Sequence, residues 1–259
     1  TLFALAGQED VESRLVTGNG VHQPWQMHTG PFKPRQLPAL KKPNWTLLVQ
    51  GADLHSDALA NLRRGFRFIA DACLDDVMVS YASDGGGVGP HFDSYDVFLL
   101  QAHGQRRWRI GAQKNLQLRD DVPLKILSQF KPTQTLLLEP GDMLYLPPHY
   151  AHEGVAVGDC MTYSIGFKAE TDHSLGAVLM GRLADFEPSR RAVHYSDPDQ
   201  LPTRQPARIP AALQAFARSS ISQLLQRDAD IRCALGEWLS EPKPQVWFEN
   251  RARPRQLSV

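Results

Sequence analysis

His91 and Asp93 stand two apart, directly after the run Gly85-Gly86-Gly87-Val88-Gly89-Pro90, and His152 follows about sixty positions later. If His91 and Asp93 lie on a strand, both side chains point to one face. Two imidazoles and one carboxylate on a common face form a ligand set that suits Fe(II) and leaves coordination positions open for a co-substrate and O2. Mn, Co, Ni or Zn fit the same donors. A bare His-x-Asp arises often by chance, and the bland reading has His91 capping a turn and Asp93 as a surface acid.

The context favours the metal. An apolar run, Val97-Phe98-Leu99-Leu100, follows the first two ligands. The third is reached through Pro140-Gly141-Asp142, a short apolar segment Met143-Leu144-Tyr145-Leu146, the corner Pro147-Pro148, and then His149-Tyr150-Ala151-His152-Glu153-Gly154. Turn, strand, corner and ligand are the succession expected at the rim of a small β-barrel. The glycine run is no phosphate loop, because it lacks the Gly-Lys-Ser/Thr ending and no helix follows. Its glycines would let backbone approach a substrate or metal closely.

Strands are expected at 45–50, 76–82, 91–101, 105–111, 133–138, 142–147, 152–157 and 160–168, with a helix at 57–70. Beyond Lys168 the period changes. Helices are expected at 172–186, 211–225 and 228–240, with a proline-rich link across 198–210. A mainly β unit followed by a helical one suggests two domains, 1–170 and 171–259. On strand 105–111, Arg106, Trp108 and Ile110 share one face while Arg107 and Arg109 share the other. Trp108 and Ile110 favour burial, so Arg106 points inward with them. A buried guanidinium without a partner is costly; a bidentate carboxylate would satisfy it, and so would an internal salt bridge.

Lys+Arg and Asp+Glu both total 28, so no basic excess argues for nucleic-acid binding. Cys73, Cys160 and Cys233 are too widely spaced for a disulfide framework or a metal knuckle, which fits the cytoplasm. No stretch reaches the ~18 apolar residues of a membrane span. Thr1-Leu2-Phe3-Ala4-Leu5-Ala6 lacks a basic n-region, so no signal peptide is expected there, and it reads as the middle of an element.

The chain resembles the JmjC-type 2-oxoglutarate oxygenases, and within them the bacterial ribosomal oxygenases. The resemblance rests on Gly85 to Asp93, Tyr95-Asp96-Val97-Phe98, Gln101, Gly104, Arg106 to Gly111, Pro140-Gly141-Asp142 through Pro147-Pro148, His152-Glu153-Gly154, Tyr163 to Phe167 and Tyr195 to Asp199. It implies a double-stranded β-helix, of the cupin or jelly-roll kind, followed by helices that make a homodimer. It also implies hydroxylation of the β-carbon of an arginine in a large-subunit ribosomal protein, ribosomal protein sixteen. Fe(II), 2-oxoglutarate and O2 are the implied cofactors, and succinate and CO2 the co-products.

The resemblance assigns the third metal position to His152 rather than His149, where the family usually has glycine. It places the 2-oxoglutarate cation fifteen residues after the first ligand, at Arg106. Ser80, Thr162 and Ser164 lie on strands able to line the same pocket, and the sequence does not choose among them. Asp84 and Tyr95 are candidates to receive the substrate guanidinium, and each also has an ordinary surface explanation. The family commonly carries a further winged-helix-like module, expected to be absent here or removed. Histidyl hydroxylation, a cupin chemistry without 2-oxoglutarate, and a non-catalytic binding module are the competing readings.

Overall fold

The structure is a computed structural model. It describes residues 1–168, 170–186 and 207–241, with 193–196, 198 and 205 between them. Asp197 and Asp199 of the Tyr195 to Asp199 block, and part of the proline-rich link, lie outside the described residues. The described residues form two compact units, one within Thr1–Ala169 and one of Glu170–Glu241.

In the first unit, the short helix α1 (Leu2–Leu5) and strands β1 (Ser13–Thr17), β2 (Gln26–Thr29) and β3 (Trp45–Val49) precede helix α2 (Asp57–Arg64). Then come β4 (Leu74–Ala82), β5 (Val97–Gly111), β6 (Gln134–Leu138), β7 (Met143–Leu146) and β8 (Ala151–Phe167). All pairings between these strands are antiparallel, in the order β2-β1-β3-β4-β8-β5-β6, with β7 also paired to β5.

Alternation along the strands separates two environments. Val79 and Tyr81 join Trp45, Leu47 and Val49 in a core covered by Leu2, Phe3 and Leu5 of α1. Val77, Ile165 and Phe167 pack with Phe66, against which Leu59 and Leu62 of α2 are laid. The opposite face carries a third cluster, Val97, Leu99, Trp108, Ile110, Leu138 and Leu146. Cross-strand partners share a face, so Ser80, Thr162 and Gln101 belong to this inner side, as do Leu99 and Ser164.

Several expected boundaries move. The segments 152–157 and 160–168 are one strand, β8, and 105–111 is the second half of β5. Backbone pairing persists across irregular registers between Gln101 and Gln105, a continuity that side-chain alternation does not reveal. The strand expected from 91 begins only at Val97. Pro90 has no N–H to donate, and the Asp93 carbonyl accepts the His149 N–H at 2.7 Å, away from any ladder. Helix α2 stops at Arg64, and the chain continues in turns that still bury Phe66.

The second unit is helical: α3 (Asp172–Asp185), α4 (Ala211–Leu225) and α5 (Asp228–Ser240). Thr171 caps α3 by accepting the Ser174 N–H at 3.0 Å. α3 packs on α5, burying Leu183 and Ala234, and Arg182 binds Glu237 at 3.7 Å and Glu241 at 2.6 Å.

Candidate metal centre

His91 and His152 meet through a two-residue bridge outside the regular ladder. The His91 N–H donates to the His152 carbonyl at 2.9 Å, and the His152 N–H donates back at 2.8 Å. Their imidazole centroids lie 4.2 Å apart. Asp93 arrives on an irregular segment held by the His149 N–H bond, and its Oδ2 is 3.6 Å from His152 Nε2. One ligand atom from each of His91, Asp93 and His152 lies within 4.8 Å of the others.

The ring nitrogens are already sorted. His91 Nδ1 is 2.9 Å from the Gly89 carbonyl and His152 Nδ1 is 2.8 Å from the Tyr150 carbonyl. A carbonyl only accepts, so each Nδ1 carries the proton and each Nε2 keeps its lone pair for a metal. Burial, with the neighbouring His91, lowers the His152 pKa to about 3. That imidazole is neutral at pH 7, as a ligand must be.

His149 takes no part in this set. It is an exposed residue with φ +63°, a left-handed conformation that glycine adopts without cost. Its N–H bond to Asp93 makes it the peg for that ligand's backbone. The glycine run is closely approached by backbone from other segments of the chain. A Cβ on Gly86 would sit 2.3 Å from the Trp45 carbonyl oxygen, and one on Gly87 would sit 2.6 Å from that of Gly154.

Arg106 lies on the inner face, 6% exposed, where its register partner is Ala156. Two positions on, Trp108 pairs with Gly154, and Ile110 pairs with His152. The Arg106 guanidinium carbon is 5.7 Å from the centroid of Trp108, and the same indole is 6.0 Å from His152. Trp108 thus stands between the cation and the metal ligand. Arg106 Nε and Nη2 are buried without a hydrogen-bond partner, and so is Trp108 Nε1. No acidic residue pairs with Arg106 among the described residues, which removes the internal salt bridge as its explanation.

The three candidate hydroxyls on this inner face differ. Ser80 Oγ donates to the Thr162 carbonyl at 3.3 Å, and Thr162 Oγ1 donates to Gln101 Oε1 at 2.9 Å. Ser164, paired with Leu99, makes no hydrogen bond through its hydroxyl among the described residues. On the other face of the sheet, Glu153 is clamped by Arg109, whose Nε donates to it at 2.7 Å, which secures the backbone beside His152.

Asp84 is exposed, and its Oδ1 accepts the Gly158 N–H at 2.9 Å. Tyr95 flanks Asp93. Its hydroxyl is held far above the usual tyrosine range by burial first and then by the negative charges of Asp93, Asp76 and Asp75. Gln101, fully buried at the start of the β5 irregularity, is a residue whose task alternation alone does not disclose.

A JmjC domain family model matches residues 61–175. The ribosomal protein uL16 3-hydroxylase of Escherichia coli (strain K12) is 37% identical over 252 residues, covering 95% of this chain and 64% of that protein. A probable ribosomal oxygenase of Haemophilus influenzae is 36% identical over 177 residues, covering 64% of this chain and 42% of that protein. The solved structure of E. coli YcfD superposes with a TM-score of 0.82 at 34% identity, covering 98% of this chain and 67% of that one. Another, of that ribosomal oxygenase in complex with cobalt and 2-oxoglutarate, gives 0.80 at 34% identity, over 98% of this chain and 66% of that one. The chain spans under two thirds of the length of the curated relatives it matches. With the antiparallel cupin-type core and the His91–Asp93–His152 cluster in place, the chain belongs to the JmjC-domain ribosomal oxygenases.

Proposed function

We propose that this chain is a 2-oxoglutarate- and Fe(II)-dependent oxygenase that hydroxylates the β-carbon of an arginine in large-subunit ribosomal protein uL16. The observation that carries the reading is the buried, unpartnered guanidinium of Arg106 on the same inner face as His152. A guanidinium there calls for a bidentate anion, and the donor set beside it suits a divalent metal with open positions.

His91, Asp93 and His152 would hold the iron through Nε2, a carboxylate oxygen and Nε2. When bound, iron and 2-oxoglutarate together supply the oxidising chemistry, with succinate and CO2 as co-products. The chain supplies the rest. Arg106 fixes the distal carboxylate of the co-substrate, with the Ser164 hydroxyl as a further donor and Ser80 and Thr162 completing the polar wall. Trp108 separates the cation from the metal ligands and keeps water from the wall. Asp84 and Tyr95 stand on either side of the ligand pair in sequence, and they receive the substrate guanidinium at the mouth.

Residues up to 170 form the catalytic unit, and the helical region from 171 makes a homodimer through exposed apolar side chains such as Leu213, Ile221 and Leu225. The enzyme works in the cytoplasm, beside the ribosome; no helix among the described residues is long and apolar enough to cross a membrane. Arginine is favoured over histidine as target because the relative named for uL16 is matched along 95% of this chain, whereas one named as a bifunctional demethylase and histidyl-hydroxylase is matched along 38%.

The test is anaerobic Fe(II) loading with 2-oxoglutarate and a uL16 peptide, then air and mass spectrometry. A gain of one oxygen atom on arginine, absent in His152→Ala and Arg106→Ala, is expected. Succinate formed with no change in the peptide would leave an oxygenase of another substrate. No succinate from protein shown to hold iron would reject the catalytic reading.

A further inference from the structure

Strand β5 changes phase partway along its length. Its buried positions are Val97, Leu99 and Gln101 in the first half, and Arg106, Trp108 and Ile110 in the second. In an uninterrupted strand, Gln101 and Arg106 would lie on opposite faces, because five positions is an odd interval. The register explains the switch. Gln101 pairs with Thr162 and Arg106 pairs with Ala156, so β5 crosses in five steps what β8 crosses in six. Without this irregularity Arg106 would point to the other side of the sheet and Arg107 would face in.

One side chain clamps the irregularity. Gln101 is wholly buried, and its Nε2 donates to the carbonyls of His103 at 2.8 Å and Gly104 at 3.2 Å. Its Oε1 accepts the Thr162 hydroxyl at 2.9 Å from the facing strand. Its backbone is fixed too, with its N–H on the Asp142 carbonyl and its own carbonyl receiving the Gly141 N–H, each at 2.9 Å. Gly104 adopts φ +60° at the bend, where a Cβ would lie 2.0 Å from the Asp159 carbonyl oxygen. Both carbonyls lie where the register is irregular, and the carboxamide donates to each of them inside the protein.

We infer that Gln101 is a positioning residue for co-substrate binding: by holding the β5 bulge it sets the face from which Arg106 projects. It touches neither iron nor 2-oxoglutarate and acts through Arg106. The inference rests on the reading of Arg106 as the 2-oxoglutarate cation.

The test uses Gln101→Leu and Gln101→Met, which keep an apolar side chain of similar bulk but cannot donate to the two carbonyls. 2-Oxoglutarate is titrated calorimetrically into the anaerobic Fe(II)-loaded protein, Fe(II) affinity is measured separately without it, and Arg106→Ala is run alongside. The dissociation constant for 2-oxoglutarate should rise roughly tenfold or more, the loss typical when the partner that orients a binding side chain is removed. Fe(II) affinity should stay within about twofold, and in turnover KM for 2-oxoglutarate should rise more than kcat falls. If only one variant folds, that one decides. Wild-type 2-oxoglutarate affinity in a folded variant would overturn the inference. Equal loss of Fe(II) and 2-oxoglutarate affinity would also overturn it, since a purely structural role moves both. Unchanged binding in Arg106→Ala would instead remove the reading on which it rests, and the inference with it.

Discussion

The guanidinium of Arg106 lies 5.7 Å from the ring centroid of Trp108, and neither its Nε nor its Nη2 meets an acceptor. A cation buried in that way destabilises the protein that carries it. Arg106→Met should therefore leave the ligand-free protein at least as stable as the wild type in thermal unfolding. The same variant should lose the stabilisation given by 2-oxoglutarate, which for the metal-loaded wild type is about 2.7 kcal/mol at a hundred times the dissociation constant. A clear fall in melting temperature with the ligand-induced shift intact would contradict the proposed role.

His149 and His152 compete in sequence and separate in structure. His152→Ala should abolish stoichiometric Fe(II) binding, measured by metal analysis after desalting. His149→Gly should bind one equivalent as the wild type does. It keeps the backbone N–H that holds Asp93 and relieves a left-handed residue, so stability should rise by up to about 1 kcal/mol. Loss of metal in His149→Gly would reassign the third ligand.

Gly154 admits the indole of Trp108. A Cβ there would come 2.8 Å from two ring atoms of that side chain and 3.0 Å from a third, backed by the strand that carries His152. Gly154→Ala should cost about 1–3 kcal/mol in denaturant unfolding, the usual range for overpacking. It should also weaken 2-oxoglutarate binding, because displacement of Trp108 reaches both Arg106 and His152. An alanine variant with unchanged stability would show that Trp108 can move freely.

Asp84→Asn keeps an oxygen for the Gly158 N–H but removes the charge. If Asp84 receives the substrate guanidinium, KM for the uL16 peptide should rise roughly tenfold, in line with loss of a charge-assisted bond. Melting temperature and KM for 2-oxoglutarate should not move. An unchanged peptide KM would confine Asp84 to holding the turn at Gly158.

The chemistry was written in the local sequence to a large degree. Residue type and spacing nominate His91 and Asp93, the resemblance chooses His152 over His149, and alternation across Arg106, Trp108 and Ile110 turns the guanidinium to the same side as its apolar neighbours. The helical period likewise placed Asp172–Asp185, Ala211–Leu225 and Asp228–Ser240 within a residue or so. Tertiary structure decided what depends on distant partners. His91 and Asp93 converge without a strand because His152 and His149 hold their backbones. The bulge that joins two expected strands into β5 is invisible to alternation, since each half is regular by itself and only pairing with β8 counts five steps against six. That no acid among the described residues pairs with Arg106, and that His149 occupies a left-handed corner, are likewise facts of what the fold brings near, which no window of sequence contains.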